Sequence, residues 1–350
     1  MNRTHRQTLL LTALIVVLIA VFLLSLSLGS VSIPVEQIVT ILFGGTPEKT
    51  SWATIVLKFR LPKAITAALA GAALSASGLQ MQTLFRNPLA DPFVLGISSG
   101  ASLGVALVVL VAGVAGGSAL LAGVSLVGDV SLAVASIIGS TLVLLLVMAV
   151  ARRVQSTMTL LILGLMFGYA TSALVSVLLY FSIAERIQAY ISWTFGSFSG
   201  VTWSQLQVFG PVVVAALIFS HLLVKPLNAL LLGETYARSM GLNVRLARLG
   251  VIATSASLAG VVTAFCGPIG FLGIAVPHLC RSLFHTSDHR LLMPAVVVLG
   301  GILAVAADLL AQLPGSQLML PLNAVTALLG APVVTWVILR QRNLRESFAG

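Results

Sequence analysis

Residues that could carry out chemistry are scarce in this chain, and they form no known catalytic arrangement. The 350 residues include only nine acids, five histidines and two cysteines. No HExxH, G-x-S-x-G, Walker A or paired-cysteine zinc spacing occurs in the sequence. Cys266 and Cys280 lie in or beside apolar segments, as small buried side chains usually do. We therefore predict that the chain has no catalytic residue, no metal site and no cofactor of its own.

A single acid falls clearly within an apolar segment. Asp308 stands in LAVAADLLAQ, whereas most of the other acids fall in predicted loops. An ion-driven transporter usually places ionisable groups near the middle of the bilayer, so their scarcity disfavours that class. We interpret Asp308 as a hydrogen-bonded structural acid and His278, in AVPHLCR, as a packing residue.

One polar stretch interrupts the apolar runs near the middle of the chain. The sequence LLLGETYARSMGLNVRLARLG, residues 230–250, introduces Glu234, Tyr236, Arg238, Asn243, Arg245 and Arg248. A solvated linker helix is one explanation for this amphipathic segment. Contact with a partner protein is the other.

The elements that position these residues are membrane-spanning helices. Hydrophobic residues make up 58% of the chain and charged residues 8%, against roughly 25% charged in soluble domains. Apolar stretches of about 20 residues recur, and each is long enough to cross a bilayer core. A membrane β-barrel would show short alternating segments instead. The net charge of +10 is not clustered on one soluble face, which argues against binding nucleic acid.

We predict an all-α polytopic membrane protein with about ten spans in a single domain, residues 1–350. The first apolar segment is longer than that of a signal peptide and lacks a clear cleavage site, so we interpret it as a retained span. The predicted spans are 8–29, 63–84, 93–114, 131–151, 158–182, 206–224, 247–266, 269–284, 291–312 and 321–339. Residues 115–130 are predicted to form a Gly-rich loop with a short helix.

The distribution of Lys and Arg predicts the orientation. With the N-terminus inside, five of the 19 basic residues fall on the outside and the rest on the inside. The outer residues are Lys49, Lys58, Arg60, Lys63 and Arg186. This bias places both termini and the loop 230–248 in the cytoplasm. The outer loop 49–63 is an exception, since it carries four of the five outer basic residues. Either a strong neighbouring helix overrides these charges during insertion, or an acidic partner docks there.

Small residues recur at the spacing that lets helices pack closely in lipid. Ala64, Ala68, Ala72 and Ala76 follow one another every four positions, and Gly96, Gly100 and Gly104 form two successive GxxxG steps. These rows predict a tightly packed bundle, which is compatible with many membrane functions.

The chain resembles the FecCD-type permeases, the membrane subunits of type II ATP-binding-cassette (ABC) importers for ferric siderophores, haem and cobalamin. The resemblance extends from about Phe59 to Arg340. It rests on the order and spacing of RLPK (60–63), RNPLADPFVLGISSGASLG (86–104), ARRVQST (151–157), WTFGSFSGVTW (193–203), LLLGETYARSMGL (230–242), GPIGFLGIAVPHLCR (267–281) and LPLNAVTALLGAPV (320–333).

The resemblance implies that the loop 230–248 contains a coupling helix that docks on an ATPase subunit. The implied coupling residues are Gly233, Glu234, Thr235, Ala237, Arg238 and Gly241. Gly233 permits a sharp exit from the preceding span, and Gly241 ends the helix. Glu234 and Thr235 suit a helix N-terminus. Ala237 is small enough for close packing against the partner, and Arg238 is available to pair with its acids.

The resemblance also implies contacts on the outer face. Arg60 and Lys63, with Lys58, are expected to meet acidic lobes of a periplasmic or lipoprotein substrate-binding protein. The chain departs from the family pattern at Gln312, Met319 and Asn323. Docking is therefore expected to depend more on Arg60, Lys63 and Lys58.

A cytoplasmic gate is implied by two further motifs. Asn87 and Leu89 of NPLADP, and Ser156 and Thr157 of QST, match the inner gate positions of the family. Helix capping and turn formation are the alternative roles for these residues. The pathway is expected at the interface with a second permease copy, in a homodimer or a related heterodimer.

The function implied is import of a metal chelate across the plasma (inner) membrane of a bacterium. Ferric siderophore is the first expectation for the substrate, with haem and cobalamin as others. ATP and Mg are expected on the partner ATPase, and membrane lipid surrounds the chain. An ion-driven secondary transporter is the alternative, and a structural membrane protein is a third reading.

Overall fold

The computed structural model describes residues 3–111, 128–154, 157–312 and 319–346. Over these ranges the chain is helical, with no β-strand. The predicted Gly-rich loop 115–130 lies outside the described residues except for its last three, which begin a helix.

The helices follow one another with short connections. They are α1 (Arg3–Ser27), α2 (Val35–Leu42), α3 (Thr50–Thr54), α4 (Leu61–Leu84), α5 (Ile97–Ala106), α6 (Gly128–Arg153), α7 (Thr157–Tyr180), α8 (Ala184–Thr194), α9 (Trp203–Leu222), α10 (Val224–Leu231), α11 (Glu234–Ser239), α12 (Val244–Cys266), α13 (Leu272–Phe284), α14 (His289–Ala311) and α15 (Leu322–Glu346). A 3₁₀ turn, Pro92–Leu95, precedes α5, and π-helical turns occupy Ile55–Arg60 and Leu107–Val111.

The predicted all-α polytopic class is confirmed. Over the described residues, each of the ten predicted spans falls on helical structure, and seven helices are long and apolar enough to cross a membrane. Three others, 97–110, 272–284 and 322–336, are apolar but shorter. The count of ten spans and the side of each terminus stay predictions.

The prediction of an outer loop at 49–63 is wrong. Residues Thr50–Leu84 form one continuous helical run of 35 residues, in which a π-helical turn joins α3 to α4. Trp52 and Val56 are buried in a small outer cluster with Ile38 and Ile41 of α2. This buried face stabilises the helix although Lys58 and Arg60 interrupt its apolar pattern.

Small residues let α4 pass through the centre of the bundle, as their spacing predicted. Most of its residues are buried, and it packs against α12, α13 and α14. A Cβ atom on Gly71 would clash with the carbonyl of Gly300, and one on Gly78 would clash with the carbonyl of Gly273. Helix backbones therefore approach directly at these points, which is how helices associate in lipid without a hydrophobic driving force.

Candidate functional site

The predicted coupling segment forms a short helix held between two glycines. Gly233 has φ +105° and Gly241 has φ +84°, values that favour glycine. Helix α11 begins at Glu234, as predicted, where a carboxylate interacts favourably with the helix dipole. Thr235 occupies the next position and is exposed. The glycines thus turn the chain sharply on either side of α11.

The two faces of α11 differ in exposure. Tyr236 and Met240 are exposed, and the side chain of Arg238 is 61% exposed. Ala237 is fully buried and packs with Leu230 and Val244. Its small side chain therefore serves packing within this chain, whereas the predicted role was contact with a partner. The exposed face carries aromatic, thioether and cationic groups.

Exposure of α11 allows its side of the membrane to be tested. We expect a cysteine at Ser239 to resist an impermeant thiol reagent in intact cells and to react after lysis, because the Lys and Arg count places this loop inside. Cys266 and Cys280 are buried, so the unaltered chain is the control for background labelling. Ready labelling of Ser239→Cys in intact cells would contradict the orientation.

Glu234 connects α11 to the first turns of α12. Its Oε1 lies 2.6 Å from Nη2 of Arg248, and its Oε2 lies 3.9 Å from Nη2 of Arg238. Arg248 is 5% exposed and donates through Nη1 to the carbonyl of Val154 at 3.1 Å. Val154 lies two residues before Ser156. A chain of contacts thus leads from α11 to Val154, directly after α6. Sequence reasoning gave Arg248 no role.

The first predicted gate segment, residues 86–91, is a tight loop. Oδ1 of Asn87 accepts a hydrogen bond from the backbone N–H of Leu89 at 3.0 Å, which is an Asx-turn. Leu89 is exposed, and Arg86 has φ +47°. Asp91 accepts from the N–H of Phe93 at 2.9 Å, and burial raises the pKa of Asp91 to about 6.

The second predicted gate segment is only partly described. Ser156 lies outside the described residues, and Thr157 begins α7 without a described side chain. The gate assignment of Asn87, Leu89, Ser156 and Thr157 therefore stays a prediction.

His278 holds the first gate segment against α13. Its Nε2 lies 2.8 Å from the carbonyl oxygen of Pro88. A carbonyl only accepts, so this nitrogen carries the hydrogen. Sequence reasoning predicted packing alone for His278, and the buried ring also makes a specific polar contact. In the sequence, only the presence of a histidine in an otherwise apolar helix could have indicated this polar contact.

The predicted outer basic cluster is mostly engaged within the chain. Arg60 donates to the carbonyls of Leu26 and Ser27 at 2.7 and 2.9 Å, and also to that of Val31. It thereby satisfies carbonyls at the C-terminal end of α1. Lys58 is exposed. Of the three predicted docking residues, Lys58 is thus the most accessible.

Lys63 faces the interior of the bundle. Its Nζ lies 3.1 Å from Oδ1 of Asp308, and the two side chains are only 13% and 9% exposed. Oδ2 of Asp308 accepts a hydrogen bond from Gln312 at 2.8 Å. The interpretation of Asp308 as a hydrogen-bonded structural acid agrees with these contacts. Sequence reasoning did not identify Lys63 as its partner.

The fold and these features define a class of protein. Packed apolar helices, with a short exposed helix between two of them, are the architecture of a polytopic helical membrane protein. Across the described ranges, no three His, Cys, Asp or Glu side chains are grouped as metal ligands.

The chain belongs to the FecCD transport family, whose profile matches residues 17–340. It is 37% identical over 288 residues to the vitamin B12 import system permease protein BtuC of Klebsiella pneumoniae, covering 82% of this chain and 83% of that protein. It is 35% identical over 346 residues to the hemin transport system permease protein HmuU of Yersinia pestis, covering 99% and 100%.

A solved structure supports the same assignment. It is described as an inward-facing conformation of a metal-chelate type ABC transporter. It matches with a TM-score of 0.81 and 28% identity, covering 95% of this chain and 99% of the other. The protein is therefore a multi-pass permease subunit of an ABC importer and not an enzyme, because ATP hydrolysis in such importers resides on a separate subunit.

Proposed function

We propose that this permease imports a metal chelate across the bacterial inner membrane, in a complex of two permease copies, ATPase subunits and an outer binding protein. The named substrates of its relatives, vitamin B12 and hemin, support this substrate class. Ferric siderophore belongs to the same class of bulky metal chelates. The low content of ionisable groups in the spans argues against the alternative, an ion-driven transporter.

Uptake of cobalamin, hemin and a ferric siderophore in a strain lacking the gene tests the substrate. We expect one chelate to enter only when the gene is restored together with a functional ATPase. Uptake that persists with an inactive ATPase but collapses with the ion gradient would support the secondary transporter instead.

The observation that carries the coupling part of the proposal is the contact chain from α11 to Val154. Helix α11 presents Arg238, Tyr236 and Met240, groups suited to a protein contact. Glu234 and Arg248 then connect this helix to the carbonyl of Val154. We infer that the ATPase moves α11 and that Arg248 transmits the displacement toward Ser156 and Thr157.

Arg248→Met is therefore expected to lower uptake by about 10-fold at equal amounts of assembled complex. That factor corresponds to about 1.4 kcal/mol. The loss is expected because methionine cannot donate to Glu234 or to the carbonyl of Val154. The side chain of Glu234 is 31% exposed, so it stays hydrated in the variant. The measurement is ATP-driven chelate uptake into proteoliposomes, normalised to assembled complex.

Two further variants separate transmission from folding. Arg248→Lys keeps one donor for Glu234 and should restore part of the uptake. Lys225→Met removes an exposed charge from α10 and should leave uptake unchanged. If Arg248→Met supports wild-type uptake, the proposed route through Arg248 is wrong.

We also propose that Lys58 contributes to docking of the binding protein, since it is the most exposed of the three predicted basic residues. Lys58→Glu is expected to slow association by roughly threefold at low salt, because charges at the rim of an interface act mainly on the on-rate. The difference should shrink at 0.15 M salt, where the Debye length falls from about 30 Å to about 8 Å.

The measurement is the association rate on surface-immobilised permease complex at both salt concentrations. Lys225→Glu, on the predicted opposite side, is the charge-matched control. An unchanged low-salt rate for Lys58→Glu would remove this residue from the docking surface. Its charge would then be explained by interaction with the outer headgroup layer.

A further inference from the structure

Five arginines surround one cavity at the junction of α6 and α12. The cavity has a volume of about 190 Å³. Its lining arginines are Arg152 and Arg153 at the end of α6, Arg238 of α11, and Arg245 and Arg248 in the first turns of α12. The apolar side chains of Ala151, Val154 and Val244 complete the wall.

Positive charge in this cavity exceeds what the surrounding chain neutralises. Glu234 contacts Arg248 and Arg238, but over the described ranges no acid forms an ion pair with the other three arginines. Arg245 donates one hydrogen bond to the carbonyl of Arg152 at 3.1 Å. Guanidinium groups bind phosphate through paired N–H donors, so the cavity has the chemistry of a phosphate site.

An apolar groove lies farther along the same pair of helices. It has a volume of about 330 Å³ and lies between α6, α9 and α12. Its lining includes Ile137, Thr141 and Leu144 of α6 and Val212 of α9. From Arg152 to Thr141 the rise along α6 is roughly 16 Å, about half of a 30 Å hydrocarbon core. A phosphate among the arginines would therefore place an acyl chain beside the groove.

One face of α6 connects the two features. Ile137, Thr141 and Leu144 line the groove, Ala151 lines the cavity, and Met148 lies between them at the same alternating spacings of four and three residues. This spacing forms one stripe along a helix. The stripe is mostly apolar along the groove and ends beside Arg152 and Arg153, which is the polarity profile of a phospholipid.

We infer that the arginine cavity and the groove together bind one anionic phospholipid of the cytoplasmic leaflet. The phosphate lies among Arg152, Arg153 and Arg245, and an acyl chain lies along Thr141. Basic pockets between membrane helices on the cytoplasmic side are suited to such headgroups. The lipid would bridge the ends of α6 and α12 beside Arg248. Its assignment to the cytoplasmic leaflet rests on the predicted orientation of the chain.

Lipid titration of the purified full-length chain by native mass spectrometry tests the site. Dioleoylphosphatidylglycerol is expected to bind at least about 10-fold more tightly than dioleoylphosphatidylcholine, since each basic residue near an anionic headgroup contributes roughly fivefold. Replacing Arg152, Arg153 and Arg245 together by Gln should remove this preference. The matched control replaces the exposed residues Arg6, Lys225 and Arg290 by Gln and should retain it.

A second variant tests the acyl chain independently of the arginines. Thr141→Trp fills the exposed groove and should weaken phosphatidylglycerol binding by roughly fivefold, as expected for the loss of acyl contacts worth about 0.8 kcal/mol per buried CH₂. It leaves the arginine cavity intact and remains informative if the triple variant does not fold.

Three results would overturn the inference. The first is equal binding of the two lipids by the unaltered chain. The second is an unchanged preference in the triple variant together with unchanged phosphatidylglycerol affinity in Thr141→Trp. The third is displacement of phosphatidylglycerol by millimolar inorganic phosphate or by the ATPase subunit. Inorganic phosphate would identify a soluble anion as the ligand, and the ATPase would identify an acidic protein surface.

Discussion

Replacing Gly241 by proline is expected to abolish the stimulation of ATP hydrolysis by substrate-loaded binding protein, while the chain still inserts into the membrane. Gly241 has φ +84°, and its N–H donates to the carbonyl of Arg238 at 2.9 Å. Proline fixes φ near −65° and has no N–H, so the turn that ends α11 is lost. The ratio of stimulated to basal hydrolysis in the reconstituted complex should fall to about one, because the turn that aims α11 no longer forms.

The chain contains a matched control for this change at Gly44. Gly44 follows α2 with φ +79°, and its N–H donates to the carbonyl of Ile41 at 3.1 Å. At both glycines an added Cβ meets no atom within 4 Å, so the local cost of proline is comparable. Gly44→Pro lies on the predicted outer side and should keep normal stimulation. Equal loss in both variants, or none in Gly241→Pro, would remove α11 from the coupling mechanism.

Arg238→Glu tests the same contact without changing the backbone. The side chain is 61% exposed and 3.9 Å from Glu234, so this chain binds it only weakly. Reversal should weaken coupling if Arg238 meets an acid on the ATPase, whereas the fold of α11 should persist.

The helices were predictable because membrane spans are long and apolar. In the described part of the chain each predicted segment falls on helical structure, since a chain crossing lipid must satisfy its backbone hydrogen bonds within the segment. Segment 49–63 was mispredicted because its charged residues resemble a loop. What stabilises a helix there is the burial of Trp52 and Val56 in one cluster with residues of α1 and α2, a contact between separate segments that apolar periodicity does not reveal.

The local backbone geometry of the site could be predicted from residue types, but the ion pairs between distant residues could not. Glycine at 233 and 241 predicted sharp turns because positive φ favours that residue. Glu234 and Arg248 are 14 positions apart on two different helices, so their contact depends on how α11 folds back on α12. Lys63 and Asp308 are separated by most of the chain. Only the bundle topology brings such residues together.

Lys63→Glu is expected to cause a severe loss of folded protein, because it places a second carboxylate beside Asp308 in a largely buried site. Removing one partner from a buried ion pair costs roughly 3–5 kcal/mol, and reversing its charge adds repulsion. The measurement is accumulation in membranes and the thermal midpoint of the purified chain. Lys58→Glu makes the same change five residues away at an exposed position and should leave both near wild type.

Exchanging the two charges distinguishes an internal pair from a docking contact. Lys63→Asp combined with Asp308→Lys restores opposite charges across the same helices, α4 and α14, and should recover part of the lost stability. The recovery will be incomplete, because Gln312 now donates to Asp308 and would face a lysine. If Lys63 instead serves the binding protein, Lys63→Glu would accumulate normally and lose only docking. Rescue by the exchange together with a normal association rate would therefore assign Lys63 to the fold and leave docking to Lys58.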